Sequence, residues 1–378
     1  MKNNSQLIFR SLWSWWKSID QYTIFALCIL SGFSLMLVTT SGAAVANRIG
    51  VAESYFATKH IFYISLSILT TFIISFFDKV TIRRMSILGF IISIILLILV
   101  KFHGYEVKGA KRWISIGGFS LQPSEFIKPF FLVVTGWLLS TIKNNKIAFS
   151  ITIILYSIVA LLLITQPDFG MLMVISASLG VQLFIAGMPL LWFLIAIIIT
   201  ISGIVTSYYL LSHVRHRIDS FLDPTNSENY QVTKSLKAFE NGGLYGKGPG
   251  EGLIKQVLPD SHTDFIFAVA GEELGGIACL IIVFIFSFIV VKGFLKLCRE
   301  DDYCTIIVST GILAQFGFQS AVNMGVSLNL LPTKGMTLPF ISYGGSSTLA
   351  IAIGVGMLLA FTKHKTNLRK YKLQNIDI

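Results

Sequence analysis

An all-α polytopic membrane protein of about ten transmembrane helices, with both termini in the cytoplasm, is expected from three features of the chain. Hydrophobic residues are 54% of the 378 and charged residues only 13%, with a mean hydropathy of +0.73, far from the balance of a soluble domain. The apolar residues run continuously instead of alternating, so helices and not barrel strands would satisfy the backbone in lipid. Ten such runs approach the ~20 residues that cross a bilayer.

In order, residues 1–21 form a polar and aromatic lead-in, where Trp13, Trp15 and Trp16 beside Arg10 and Lys17 suit the membrane interface. The first span, 22–42, runs into "SGAAVAN", and Ala44-Val45-Ala46 resembles a signal-peptidase site. The long polar lead-in and long apolar run favour an uncleaved anchor. Spans follow at 61–77, 86–100, 125–142, 147–165, 169–187, 189–211, 265–291, 304–326 and 338–362, so a membrane domain fills 22–362 before a basic tail at 363–378.

An even number of spans puts both termini on one side. Lys2, Arg10 and Lys17, then Lys79, Arg83 and Arg84, Lys143 and Lys146, the 292–299 segment and the tail all fall there, which marks that side as cytoplasmic. The two long connections, 101–124 and 212–264, lie outside, and both are basic although topology does not require it. A ligand on the outer face would explain them. The net charge of +11 needs no nucleic acid, because topogenic lysines and anionic lipids account for much of it. Cys28, Cys279, Cys298 and Cys304 have neither metal-ligand spacing nor the setting of a disulfide framework.

Polar chemistry collects at the outer face. In "KGAKRWISIGGFSLQPSEFIKP" a Gly-Gly and a Gln-Pro mark turns, and Pro123 and Ser124 suit a helix start. Glu125 and Lys128 then share one helical face; such a pair either only neutralises itself or marks a site. The second connection opens with "HVRHRIDSFLDP", where Arg215 and Arg217 suit either a headgroup anchor or a phosphate. Its "NGGLYGKGPGEG" is not a Walker loop and is expected to be mobile over a site.

"LPDSHTDFIFAVAGEELGG" sets Asp264 at the end of a stripe of Ala268, Gly271 and Gly275, with Glu272 and Glu273 inside the apolar run. Close helix packing and a groove for a lipid chain both fit the stripe; packing is commoner but leaves the aspartate unexplained. Near the end, Pro332, Gly335 and Pro339 break regular helix around Lys334, and "SYGGSS" opens the last span.

These blocks, together with "QPDFG" and "LLPTKGMTLPFISYGGSS", resemble the signature blocks of the SEDS proteins of shape, elongation, division and sporulation, over nearly all of the ten-helix region. "GPGEGLIKQVLPD" and "LPTKGMTLPFISYGGSS" look like the division branch more than the elongation branch. The resemblance implies a peptidoglycan glycosyltransferase in the bacterial cytoplasmic membrane at the septum. It would polymerise lipid II on the outer face, together with a class B penicillin-binding transpeptidase and other divisome proteins. It also implies Asp264 as the catalytic carboxylate, Glu125 with Lys128 as the cavity ion pair, and Arg112 as the basic residue of "GAKRW"; Lys111 stands where most members have Arg.

The chemistry is compatible. Joining a sugar 4-hydroxyl to an anomeric carbon with loss of a lipid pyrophosphate needs a base, for which Asp264 is placed, and positive charge, which Arg112, Arg215, Arg217 and Lys334 would supply. His262 and Ser346 are further candidates for the substrate cavity. A divalent cation, Mg or Mn, would help at the pyrophosphate, but no ligand cluster is set aside for it. Two rival readings are a lipid II flippase and a noncatalytic scaffold for the transpeptidase. The first should show inverted repeats, and none is convincing; the second leaves Asp264 unexplained.

Overall fold

A computed structural model describes residues 12–107, 110–117, 119–210, 215, 219, 230–332 and 335–363. Helices α1 (Gln21–Ile49), α2 (Tyr55–Phe76) and α3 (Lys79–His103) come first. A three-stranded antiparallel sheet follows, β1 (Tyr105–Val107), β2 (Ala110–Ile116) and β3 (Phe119–Leu121). Then come α4 (Pro123–Thr141), α5 (Asn145–Thr165), α6 (Phe169–Ile185) and α7 (Leu190–Leu210). The short α8 (Tyr230–Gly242) precedes α9 (Ile266–Leu297), α10 (Tyr303–Ser327) and α11 (Gly345–Phe361).

Among the described residues seven of these helices, α1, α2, α3, α5, α7, α9 and α10, are long and apolar enough to cross a membrane, and α6 and α11 are shorter apolar helices. With α4, which carries Glu125 and Lys128, they coincide with the ten expected spans. Their starts follow local chemistry: Asp20, Asp78 and Asn144 each accept two backbone N–H groups as N-caps of α1, α3 and α5, donors that would otherwise be orphaned. Pro123 opens α4, where its missing N–H is not needed.

Two expectations are corrected. The last span starts at Gly345, not 338, because Phe340 sits at φ 58 and Gly344 is also non-helical, so 338–344 is an irregular strap. The Gly-rich 242–252 is no mobile flap: Gly276 N–H reaches Gly243 O at 2.9 Å, and Lys247 and Gly248 donate to the carbonyls of Glu272 and Glu273 at 3.0 Å. Glycine lets this backbone lie on the backbone of α9, which closes hydrogen bonds that a freely moving loop would leave to water.

That contact explains the one break in α9, at Gly275 (φ 82). A Cβ there would stand 2.3 Å from Gly246 N and 2.4 Å from Leu244 O. Gly275→Ala therefore meets fixed backbone in a left-handed conformation, and a loss of about 1–3 kcal/mol or more is expected. Thermal melting of the detergent-solubilised protein measures it; an unchanged midpoint would mean the joint is loose.

Two large apolar cores hold most of the bundle. One gathers Phe131, Leu132, Ile175, Val308 and neighbours around α4, α6 and α10; the other joins Leu30, Leu37, Ile282, Phe286 and Val355 of α1, α9 and α11. At the basic end, Trp15 stacks on Phe76 at 4.0 Å and an Asp20–Lys292 ion pair ties α1 to α9. Asn241 is exposed at the end of α8. Asn241→Cys in spheroplasts is expected to react with an impermeant maleimide before lysis; reaction only after lysis would invert the topology.

Candidate functional site

The site is built where the sheet, the starts of α4 and α6, and the two irregular straps before α9 and α11 converge. On β2, Arg112 donates to Gln166 O at 3.1 Å and Pro167 O at 2.6 Å and lies 3.9 Å from the Asp168 carboxylate. Asp168 accepts the Met171 N–H at the start of α6 and the Ser124 hydroxyl at 3.2 Å. Ser346 accepts from Gln122 N–H at 3.2 Å and donates to Ser120 O at 3.0 Å. The first long connection is thus pinned to α6 on one side and to α11 on the other.

Beneath it, Lys128 Nζ lies 2.7 Å from Glu125 Oε2, with the two side chains 0% and 2% exposed. Lys128 also donates to Gln319 Oε1 of α10 at 2.8 Å. Gln319 in turn donates to Thr337 O at 3.1 Å, and the Thr337 hydroxyl meets Ser347 Oγ at 2.5 Å. A buried ammonium with a carboxylate and an amide oxygen on it is compensated, which an isolated one would not be.

The seam continues to Asp264. A Cβ on Gly335 would lie 3.1 Å from Asp264 Oδ2, so the carboxylate sits against the strap that carries Met336 and Thr337. Asn323 of α10 donates to Asp264 O at 2.9 Å and to Met336 O at 2.6 Å, which clasps the two straps together. Ser342 donates to Thr263 O at 2.6 Å and Tyr343 N–H to His262 O at 2.9 Å. Asp264 itself is half-buried.

The other expected residues fare differently. His262 is buried between the rings of Phe56 at 4.6 Å and Tyr343 at 5.3 Å, so its ring packs. Lys111 is exposed on β2, across from Glu106. Arg215 donates to Tyr208 O and Tyr209 O, both at 3.4 Å, at the end of α7. Arg217 and Lys334 lie outside the described residues. The small-residue stripe packs: a Cβ on Gly271 would be 2.2 Å from the ring of Phe239 in α8, so α8 fills the space that a lipid chain would need there. Gln319, Asn323 and Asp168 went unselected in the sequence. Two amides four residues apart in an apolar span were the available signal. Among the described residues no three His, Cys, Asp or Glu side chains gather to hold a metal ion.

A family model described as cell cycle protein, for FtsW, RodA and SpoVE, matches residues 21–367. A Caulobacter vibrioides protein named probable peptidoglycan glycosyltransferase FtsW is 37% identical over 354 residues, 93% of this chain and 91% of its own. One of the same name from Aeromonas salmonicida is 38% identical over 281 residues, 71% of each. Two solved structures share the fold. A chain from work on polymerization and crosslinking by a peptidoglycan synthase complex aligns at TM-score 0.75 and 24% identity, over 92% of this chain and 98% of its own. The Thermus thermophilus rod shape determining protein RodA aligns at 0.67 and 23%, over 92% and 97%.

Proposed function

The chain belongs to the cell cycle protein family of FtsW, RodA and SpoVE, and from that membership we propose that it is the peptidoglycan glycosyltransferase of septal wall synthesis, polymerising lipid II at the outer face of the cytoplasmic membrane. The observation that carries the reading is the buried polar chain from the Glu125–Lys128 pair through Gln319 to Thr337, on the strap whose Gly335 lies against the Asp264 carboxylate. A seam of this kind inside an apolar bundle has a use beyond packing.

In the reaction the acceptor 4-hydroxyl oxygen bonds to the donor's anomeric carbon while the bond from that carbon to the pyrophosphate oxygen breaks. The hydroxyl proton goes to Asp264 and the electron pair leaves on the lipid pyrophosphate. Asp264 is the only one of the named groups that serves as base; Arg112, with two carbonyls and a carboxylate already on it, holds the floor of the leaving-group end. Glu125 is taken up by Lys128 in the core and takes no proton from substrate. A class B penicillin-binding transpeptidase, which crosslinks the strands as they emerge, is the partner this activity requires.

The test is glycan-strand synthesis from purified protein and lipid II, alone and with the transpeptidase. Strands longer than the dimer support the reading. Transfer of lipid II across vesicle membranes with no glycan formed would replace it with a flippase.

A further inference from the structure

Glu272 and Glu273 are not used in that chemistry, yet both are buried in α9, 0% and 1% exposed. Three backbone N–H groups and three side chains hold them. Glu272 accepts the N–H groups of Leu253 at 3.1 Å and Ile254 at 3.0 Å, and the Asn241 amide at 3.4 Å. Ile254 and Leu253 open a short 3₁₀ turn, Ile254–Gln256, so a carboxylate borrowed from another helix caps it, where negative charge is favoured. Glu273 accepts from Gly250 N–H at 3.1 Å, the Thr40 hydroxyl of α1 at 2.9 Å, and Lys255 Nζ at 2.6 Å. Lys255 closes the loop on itself by donating to Gly250 O at 2.6 Å.

From this grip a direct line runs to the base. Lys255 O accepts the buried Ser261 hydroxyl at 3.3 Å, three residues before Asp264. Between them Arg48 of α1 donates to Leu258 O at 3.2 Å. A side-chain grip on side chains would leave the backbone path free, but here carboxylates hold amides, and the path of 250–261 is fixed.

Resting on the reading of Asp264 as base, we propose that Glu272, Glu273 and Lys255 form a buried brace that positions Asp264 for proton abstraction, acting through the backbone of 250–261 and Ser261. These are positioning residues. Self-neutralisation alone does not account for them, because of the two carboxylates Lys255 meets only Glu273, and loop amides occupy both. The brace also bridges α1 and α9 through Thr40, so the base is referenced to the bundle and not only to its own loop.

The experiment uses the full-length purified protein carrying Lys255→Met, Lys255→Arg or Ser261→Ala. Lys255→Met is expected to lower kcat for glycan synthesis about tenfold to a hundredfold, the scale of a 1 Å misplacement, with KM for lipid II within about threefold. Lys255→Arg keeps the charge and is expected to recover most of kcat. Ser261→Ala removes one hydroxyl and no charge, so it folds even if Lys255→Met does not, and it is expected to lose kcat in the same sense. Hydrogen exchange at residues 250–264 is read in parallel and is expected to rise in Lys255→Met and Ser261→Ala, with 276–297 unchanged. A kcat per folded molecule within twofold of wild type for Ser261→Ala and Lys255→Met, or unchanged exchange at 250–264, overturns the brace. If wild type itself makes no glycan, the function falls, and the exchange pattern still decides the brace.

Discussion

Asp264→Asn is expected to give a folded, membrane-inserted protein that binds lipid II and polymerises it about 10²–10⁴-fold more slowly, the usual cost of losing a general base. The fold should survive because three of the contacts that hold this segment are made to its main-chain carbonyls: Asn323 on Asp264 O, Ser342 on Thr263 O and Tyr343 on His262 O. None of these uses the carboxylate. An amide of nearly the same shape is cheaper to desolvate than a charge, so insertion is not harmed, but it cannot take the hydroxyl proton. Glycan product is compared at matched lipid II occupancy. Turnover within a fewfold of wild type would remove Asp264 from the reaction and leave the seam with a structural task only.

The second large effect is in the core. Lys128→Met strands the Glu125 carboxylate at 2% exposure and leaves Gln319 Oε1 without the donor it has now. Loss of one partner of a buried pair costs about 3–5 kcal/mol, whereas replacing both with apolar side chains is often tolerated. Membrane abundance and melting of the solubilised protein should therefore rank wild type, then Glu125→Leu with Lys128→Met together, then either single variant. Equal damage from the singles and the double would mean that the two charges do not compensate each other.

The spans were legible because lipid punishes any long interruption of an apolar run, so α1 to α7 and α9 to α11 appear in composition alone. Asp264, Glu125 and Lys128 were legible for the converse reason, as charges in places where charge is costly. Less could be read from residues whose role depends on a distant partner. Gln319 and Asn323 look ordinary until 335–337 is laid against them, and Glu272 and Glu273 looked like a problem of burial until Gly250, Leu253 and Ile254 supplied their amides. The glycines of 242–252 suggested motion because glycine marks both loose chain and close backbone contact, and only the neighbour, here Gly275, tells which. Two strands of the first connection were hidden by their length: β1 and β3 have three residues each, too few for alternation to show.

The spacing of Glu125 and Lys128 bears on how the protein is made. Lys128's other contact, Gln319, lies 191 residues downstream, and at about 5–20 residues per second the ribosome needs roughly 10–40 s to reach it. Throughout that interval α4 must sit in or beside the translocon with a lysine in its second turn, a charge that is costly in lipid if left alone. A partner one turn away, synthesised within the same second, neutralises the charge before α10 exists. The ion pair is thus a provision for the nascent chain as much as for the finished enzyme, and a version with its acid moved onto α10 would meet the same final geometry yet falter at insertion.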